Sequence, residues 1–328
     1  MGSGVWSPNT YHTRASQRQA AGQDAFAYSR QASAVHPTLN PYGLEVRESR
    51  DSAEHPISNS VIVGLDVSGS MGAVVRAIHK DLPQLLGLLL GKTYVSNPQI
   101  MFSAFSNGNC DPVAVQVGQF ESDNRMDQNL ENMILGGQLA GGCDVRESAE
   151  LLLYLAARHT AIDCWEKRRQ KGYLFLLTDE MAYTEVKHDE INRIFGQSLS
   201  DDIPLEQMIA EVRERYHLYV IIPVHAQGGQ DPQVLEFWKS YLDPQHVLHL
   251  KNADDVSETI ALAIGLTARS ITLQEGLDHL QAGGASKPTL DALAQALALV
   301  EEGAVKSAGG GLTGLDADDD QPRTKRLW

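Results

Sequence analysis

VIVGLDVSGSMG, Val61 to Gly72, is the stretch on which the fold turns. Five residues of strand length and apolar character end in Asp66, and Ser68, Gly69, Ser70 and Gly72 follow at once. An unbroken apolar run is how a strand reads when both faces of its sheet are covered. Four further runs have the same character: IMFSAF, YLFLLT, LYVIIPV and VLHL. Helix-like stretches separate them, namely AVVRAIHKDLPQLLGLLL, VRESAELLLYLAARHTAI, LEQMIAEVRERY and PQVLEFWKSYL. Strands alternating with helices predict right-handed crossovers and a mostly parallel sheet with helices on both faces, an α/β fold. Only PVAVQVGQF, Pro112 to Phe120, alternates apolar with polar, which predicts an exposed edge strand.

The same patterning divides the chain. Residues 1–57 carry few large apolar side chains and predict an extended arm, ordered by lying on something, with one short helix in QAAGQDAFAYSRQ. Residues 58–270 hold the α/β domain. Residues 271–303 predict two amphipathic helices, the second with a stripe of Leu290, Leu293, Leu297 and Val300. Residues 304–328 are glycine-rich, then acidic, then basic, and predict a flexible tail.

Composition removes several classes of function. At 42% apolar residues the 328-residue chain can bury a large core, yet no window reaches the roughly 18 consecutive apolar residues of a membrane span. The first thirty residues lack the apolar centre of a secretory signal, so the expected compartment is the cytoplasm. Cys110, Cys143 and Cys164 are odd in number and widely spaced, which argues against a disulfide framework or a zinc site. A net charge of −15 argues against nucleic acid and anionic membrane, since phosphate binding needs clustered Lys and Arg. Metal ions and basic protein surfaces are the more natural partners.

In open parallel sheets ligands sit beyond the carboxyl ends of the strands, and DVSGSMG occupies such a position. Asp66, Ser68 and Ser70 form D-x-S-x-S, a set of hard oxygen donors suited to Mg2+, Ca2+ or Mn2+ rather than zinc. Three donors do not complete a magnesium shell of about six. YLFLLTDEM ends a second strand in Asp179 and Glu180, and GGQLAGGCDVRESAELLLYLA carries a glycine-rich turn, with Cys143 and Asp144, into a helix.

These motifs resemble the von Willebrand factor A family. The shared marks are D-x-S-x-S after the first strand, a glycine-rich turn into a helix and a late T-D-x turn, over roughly Val61 to Gly265. The resemblance implies a Rossmann-like fold with one antiparallel edge strand and a metal-ion-dependent adhesion site. In that site Ser68 and Ser70 would bind Mg2+ directly (Ca2+ or Mn2+ being possible), while Asp66 and Asp179 would act largely through bound water. The family's threonine falls on Cys143, whose neutral thiol is a poor magnesium ligand; Asp144 or water would supply the oxygen instead, or the loop would be a metal-free vestige. More loosely, VRESRDSAEHPISNSVIVGLDVSGSMG, QVGQFESDNRMD, ESAELLLYLAARHTAIDCWEKR and KGYLFLLTDE resemble bacterial cytoplasmic proteins of this family. That likeness implies partnership with AAA+ ATPases of the MoxR type.

Plainer readings stand beside these. Ser68 and Ser70 could only cap the next helix, and Asp179–Glu180 could be an ordinary turn. His225, His246 and His249 are expected to be structural, as are Trp165 and Trp238 at packing positions. LEVRESRDS and EKRRQK are expected to be solvated charge runs. Neither a G-x-S-x-G elbow nor a G-x-x-x-x-G-K-[ST] loop is present, and DVSGS lacks the D-x-D-x-T pattern of a phosphate-attacking aspartate. The expectation is a non-enzymatic adaptor that binds a partner's Asp or Glu through the metal. The alternatives are a structural subunit held by the arm and the C-terminal helices, and a metal-dependent hydrolase.

Overall fold

The computed structural model describes residues 4–136 and 146–309. In chain order the elements used below are α1 (Pro8–Ala20), β1 (Asn59–Asp66), α2 (Gly72–Lys80), β2 (Pro98–Phe105), β3 (Val115–Val117), α3 (Arg125–Glu131), α4 (Ala149–Arg158) and β4 (Gly172–Leu177). Then follow α5 (His188–Phe195), α6 (Leu205–Arg215), β5 (Tyr216–Pro223), α7 (Pro232–Tyr241), β6 (Val247–Leu250), α8 (Val256–Ala268), α9 (Leu273–Ala282) and α10 (Lys287–Gly309).

The main sheet has six strands in the order β6-β5-β4-β1-β2-β3. All neighbours are parallel except β2 and β3, which run antiparallel at the edge where PVAVQVGQF was expected, although β3 is buried and not exposed as its alternation predicted. Every residue of β1 and β2 is buried, which accounts for their lack of polar alternation. Successive side chains point to opposite faces. Val61, Val63 and Leu65 pack with Val74, Val75 and Ile78 of α2 and with α8, whereas Ile62 packs with α4 and α6. Gly64 lets α4 approach closely: a Cβ there would meet Leu152 Cδ2 at 2.0 Å.

From β1 the chain moves to β2 on one side, then crosses to β4 on the other. The strand order therefore reverses between β1 and β4, and their carboxyl ends open the crevice in which such sheets bind ligands. Asp66 closes β1 and Thr178–Asp179 follow β4.

The N-terminal segment departs from the expected extended arm. Ser7 caps α1 by accepting from Thr10 N–H, and Pro8 fits its first turn. The helix is docked on α2 and α3. Trp6 Nε1 donates to Asp127 (2.9 Å), Tyr11 Oη donates to the His79 carbonyl (2.8 Å), and Arg14 and Arg18 hold Glu131 at 3.0 and 2.6 Å. Low apolar content hid this helix, in which only Tyr11 is buried, with Trp6 and Phe26 anchoring the chain before and after it.

At the other end α9 starts with a capping box of Thr272 and Glu275, and α10 lies on α8 and α9. Leu293, Leu297 and Val300 are buried and Leu290 is half-buried, so the apolar stripe faces the domain. The two charge runs expected in solvent instead clasp each other. Arg50 pairs with Asp163 at 2.9 Å and with Glu166, Lys167 with Asp163 at 2.6 Å, and Arg168 with Asp51 at 2.8 Å. This clasp flanks the short parallel ladder of Arg47–Ser49 on Thr160–Ile162. Cys164 is a buried free thiol, whereas Cys110 is disulfide-bonded, which departs from the reading of the odd, widely spaced count. Among the described residues no helix is long and apolar enough to cross a membrane.

Candidate metal centre

Asp66 and Asp179 are both fully buried, and Ser68 is nearly so. The turn Val67–Met71 folds back over the end of β1 because Asp66 Oδ1 accepts the Ser68 N–H at 2.8 Å. That bond places Ser68 Oγ 3.1 Å from Ser70 Oγ, and Ser70 Oγ donates to Asp179 Oδ1 at 2.9 Å. A continuous line of oxygens thus runs from the serine loop to the loop after β4. Ser68 and Ser70 make no side-chain cap to α2 or to the 3₁₀ turn before it, so the capping explanation for them does not hold.

Two groups outside the expected set complete the network. Thr178 Oγ1 donates to Asp66 Oδ2 at 2.8 Å and accepts from Glu180 N–H at 3.1 Å. Gly228, in the loop after β5, donates its N–H to Asp179 Oδ2 at 2.8 Å. Only glycine fits there, since a Cβ at 228 would lie 2.0 Å from the Asp179 carbonyl oxygen. Trp238 belongs to the core as expected, but its Nε1 also donates to the Glu180 carbonyl at 3.0 Å and holds the T-D-E turn. Thr178 could have been suspected from its place beside Asp179. Gly228 carried no signal, because its role exists only once β5 lies beside β4.

Burial, to which the Asp179 charge adds, pushes Asp66 up to about 7 against the hydrogen bonds from Ser68 and Thr178. Hydroxyls and carboxylates are the donor chemistry of a hard divalent cation, and such a cation would relieve this repulsion. The residues Asp66, Ser68, Ser70 and Asp179 are therefore brought together and fit such an ion. Cys143 and Asp144 lie outside the described residues. Among the described residues, no three His, Cys, Asp or Glu side chains gather to hold a metal.

The histidines are dispersed. His225 is exposed at the rim and makes no hydrogen bond among the described residues. His246 Nδ1 lies 2.9 Å from the Leu218 carbonyl and its ring packs on Tyr219. His249 is exposed on β6.

No family model matches the chain, and no curated protein matches it. Among solved structures, the pilus adhesin SpaC from Lactobacillus rhamnosus GG in its open conformation aligns with a TM-score of 0.44 and 12% identity, over 67% of this chain and 31% of that one. A second structure of that adhesin gives 0.44 and 12%, over 66% and 32%. Proximal thread matrix protein 1 from the mussel byssus gives 0.39 and 13%, over 63% and 47%. The chain thus spans about a third of the adhesin's length.

Proposed function

We propose that this chain is a von Willebrand factor A-type, Rossmann-like domain whose serine loop holds Mg2+ to bind a carboxylate of a protein partner. The observation that carries this reading is the oxygen line Ser68–Ser70–Asp179 with Asp66 behind it. It lies at the point where the strand order reverses. Ser68 and Ser70 would give their hydroxyl oxygens to the ion, and Asp66 and Asp179 would hold its water and balance its charge. The cation would supply the local positive charge that lets a strongly acidic chain accept an acidic partner residue. Ca2+ or Mn2+ would be chemically compatible with the same donors.

The role is that of a non-enzymatic adaptor in a multiprotein system, with an AAA+ ATPase of the MoxR type as the partner class implied by the sequence likeness. The competing reading is a structural subunit joined through its arm and C-terminal helices, and it is the less favoured because both segments already make contacts within the chain. The arm is docked on α2 and α3, and α10 buries its stripe on the domain.

The test compares wild type with Asp66→Ala in magnesium and in EDTA, by calorimetric titration of Mg2+ and by pull-down. Magnesium should bind wild type and raise partner retention at least tenfold, and Asp66→Ala should lose both gains while its melting stays cooperative. Equal retention by the two proteins in either buffer would sink the proposal.

A further inference from the structure

A second pair of buried carboxylates lies under the loop that follows β2. Glu150, in the first turn of α4, is 0% exposed, and Glu190, in the first turn of α5, is 7% exposed. Glu150 Oε2 accepts the Tyr183 N–H at 3.2 Å. Glu150 Oε1 and Glu190 Oε1 have no hydrogen-bond partner among the described residues.

Glu190 is aimed at the Ser148–Gly108 contact, and Ser148 also reaches Glu150 through its side chain. Gly108 N–H donates to Ser148 Oγ at 2.8 Å, and a Cβ at 108 would lie 2.4 Å from Glu190 Oε1 and 3.0 Å from Ser148 Oγ. The absent side chain at 108 is therefore what admits Glu190 beside the serine. Arg193, one turn beyond Glu190, donates to the Gly108 carbonyl at 2.9 Å and forms an ion pair with neither acid. Burial, with the charge of Glu190 adding to it, holds Glu150 well above the ordinary carboxyl range. Unpartnered carboxylate oxygens in a protein interior call for a proton or a cation.

We propose that Glu150, Glu190 and Ser148 bind a calcium ion, at a site distinct from the serine loop, that fastens α4 to α5 beneath the 106–111 loop. The donors are all hard oxygens, and calcium accepts six to eight of them in irregular arrangements, completed by water or carbonyl groups. Three separate segments meet there, so the ion would act as a staple, and its binding energy would add to the stability of the folded state.

The experiment uses the full chain carrying Asp66→Ala, which silences the serine loop, after dialysis against EDTA. Calcium alone is then added, with thermal melting and calorimetric titration as readouts. Binding of one calcium should raise the melting temperature by about 5 °C at a hundredfold excess over Kd. Adding Glu190→Gln should abolish both the heat of binding and the shift. A shared proton instead of an ion predicts no calcium heat and unchanged melting, and that result overturns the proposal. So does calcium binding that survives Glu190→Gln and Glu150→Gln together. Should Glu190→Gln fail to fold, Gly108→Ala, whose methyl displaces Glu190 Oε1, should weaken calcium binding at least tenfold, and unchanged affinity there would equally overturn it.

Discussion

Asp66 and Asp179 receive a donor on each of their four carboxylate oxygens, from Ser68 N–H, Thr178 Oγ1, Ser70 Oγ and Gly228 N–H. Glu150 and Glu190, buried on the same upper rim, each leave one oxygen without a partner among the described residues. Position in the fold explains the contrast. The aspartates sit at strand ends, where turns present backbone N–H groups and hydroxyls to whatever lies in the crevice. The glutamates sit in the first turns of α4 and α5, packed against a loop, and Tyr183 N–H reaches Glu150 Oε2 while the Oε1 atoms of both acids find no donor among the described residues. A fully donated pair is held in place before any ligand arrives, whereas a half-donated pair depends on what it captures. Hydrogen bonds from neutral donors thus decide which acid pair is preorganised and which is a staple waiting for its pin.

Removing a donor from the first pair should make it resemble the second. The largest effect is expected at Gly228, where Ala would drive a methyl into the Asp179 carbonyl at 2.0 Å and break the N–H bond to Oδ2. Overpacking and the loss of a bond to a charged group together cost about 3 kcal/mol. Chemical denaturation should show that loss, and magnesium titration should show at least tenfold weaker binding. A Gly228→Ala protein as stable as wild type would mean that the loop after β5 is free to move, and that Asp179 is not preorganised.

Thr178→Val offers a milder break in the same comparison. It keeps the side chain's shape but leaves Asp66 Oδ2 without its donor and Glu180 N–H without its acceptor. A buried group left unpaired costs about 1–3 kcal/mol. Urea unfolding should place the loss near 2 kcal/mol in EDTA, and magnesium should recover part of it, since a cation replaces the missing donor. Equal losses with and without magnesium would separate Asp66 from the cation.

The sheet and the rim were legible because they rest on local pattern. Unbroken apolar runs marked β1, β2, β4, β5 and β6, alternation marked β3, and the motif residues Asp66, Ser68, Ser70 and Asp179 fell at strand ends as spacing implied. What stayed hidden depends on pairing between distant segments. Arg50 and Asp163 look like two solvated charges until the ladder of Arg47–Ser49 on Thr160–Ile162 brings them to 2.9 Å. Trp6 and Tyr11 look like stray aromatics in a polar arm until α2 and α3 provide Asp127 and the His79 carbonyl. Gly228 looks like one of two loop glycines until β5 pairs with β4.

The smallest expected effect sharpens the comparison by removing a signal that masks it. His217, at the start of β5, is stacked on Tyr173 and held by burial, with Lys171 adding repulsion, down at about 4 from an ordinary 6.5. Its stabilising contribution is complete above pH 6.5 and is lost as pH falls toward 4, because the unfolded chain takes up the proton first. Glu150, held above its ordinary range, acts with the opposite sign: the folded state binds its proton more tightly, so acidification favours folding. The acid limb of wild type therefore sums groups of both signs, with Asp51 and Asp202 also held low and Asp66 and Glu258 also held high by their surroundings. His217→Phe retains the ring against Tyr173 and removes the titration. Melting in EDTA should then fall less steeply between pH 6.5 and 4.5, by the equivalent of about 1 kcal/mol after allowing for partial exposure. An acid limb identical to wild type would mean that His217 titrates normally. The raised carboxyls would then have to be sought in the uncorrected profile.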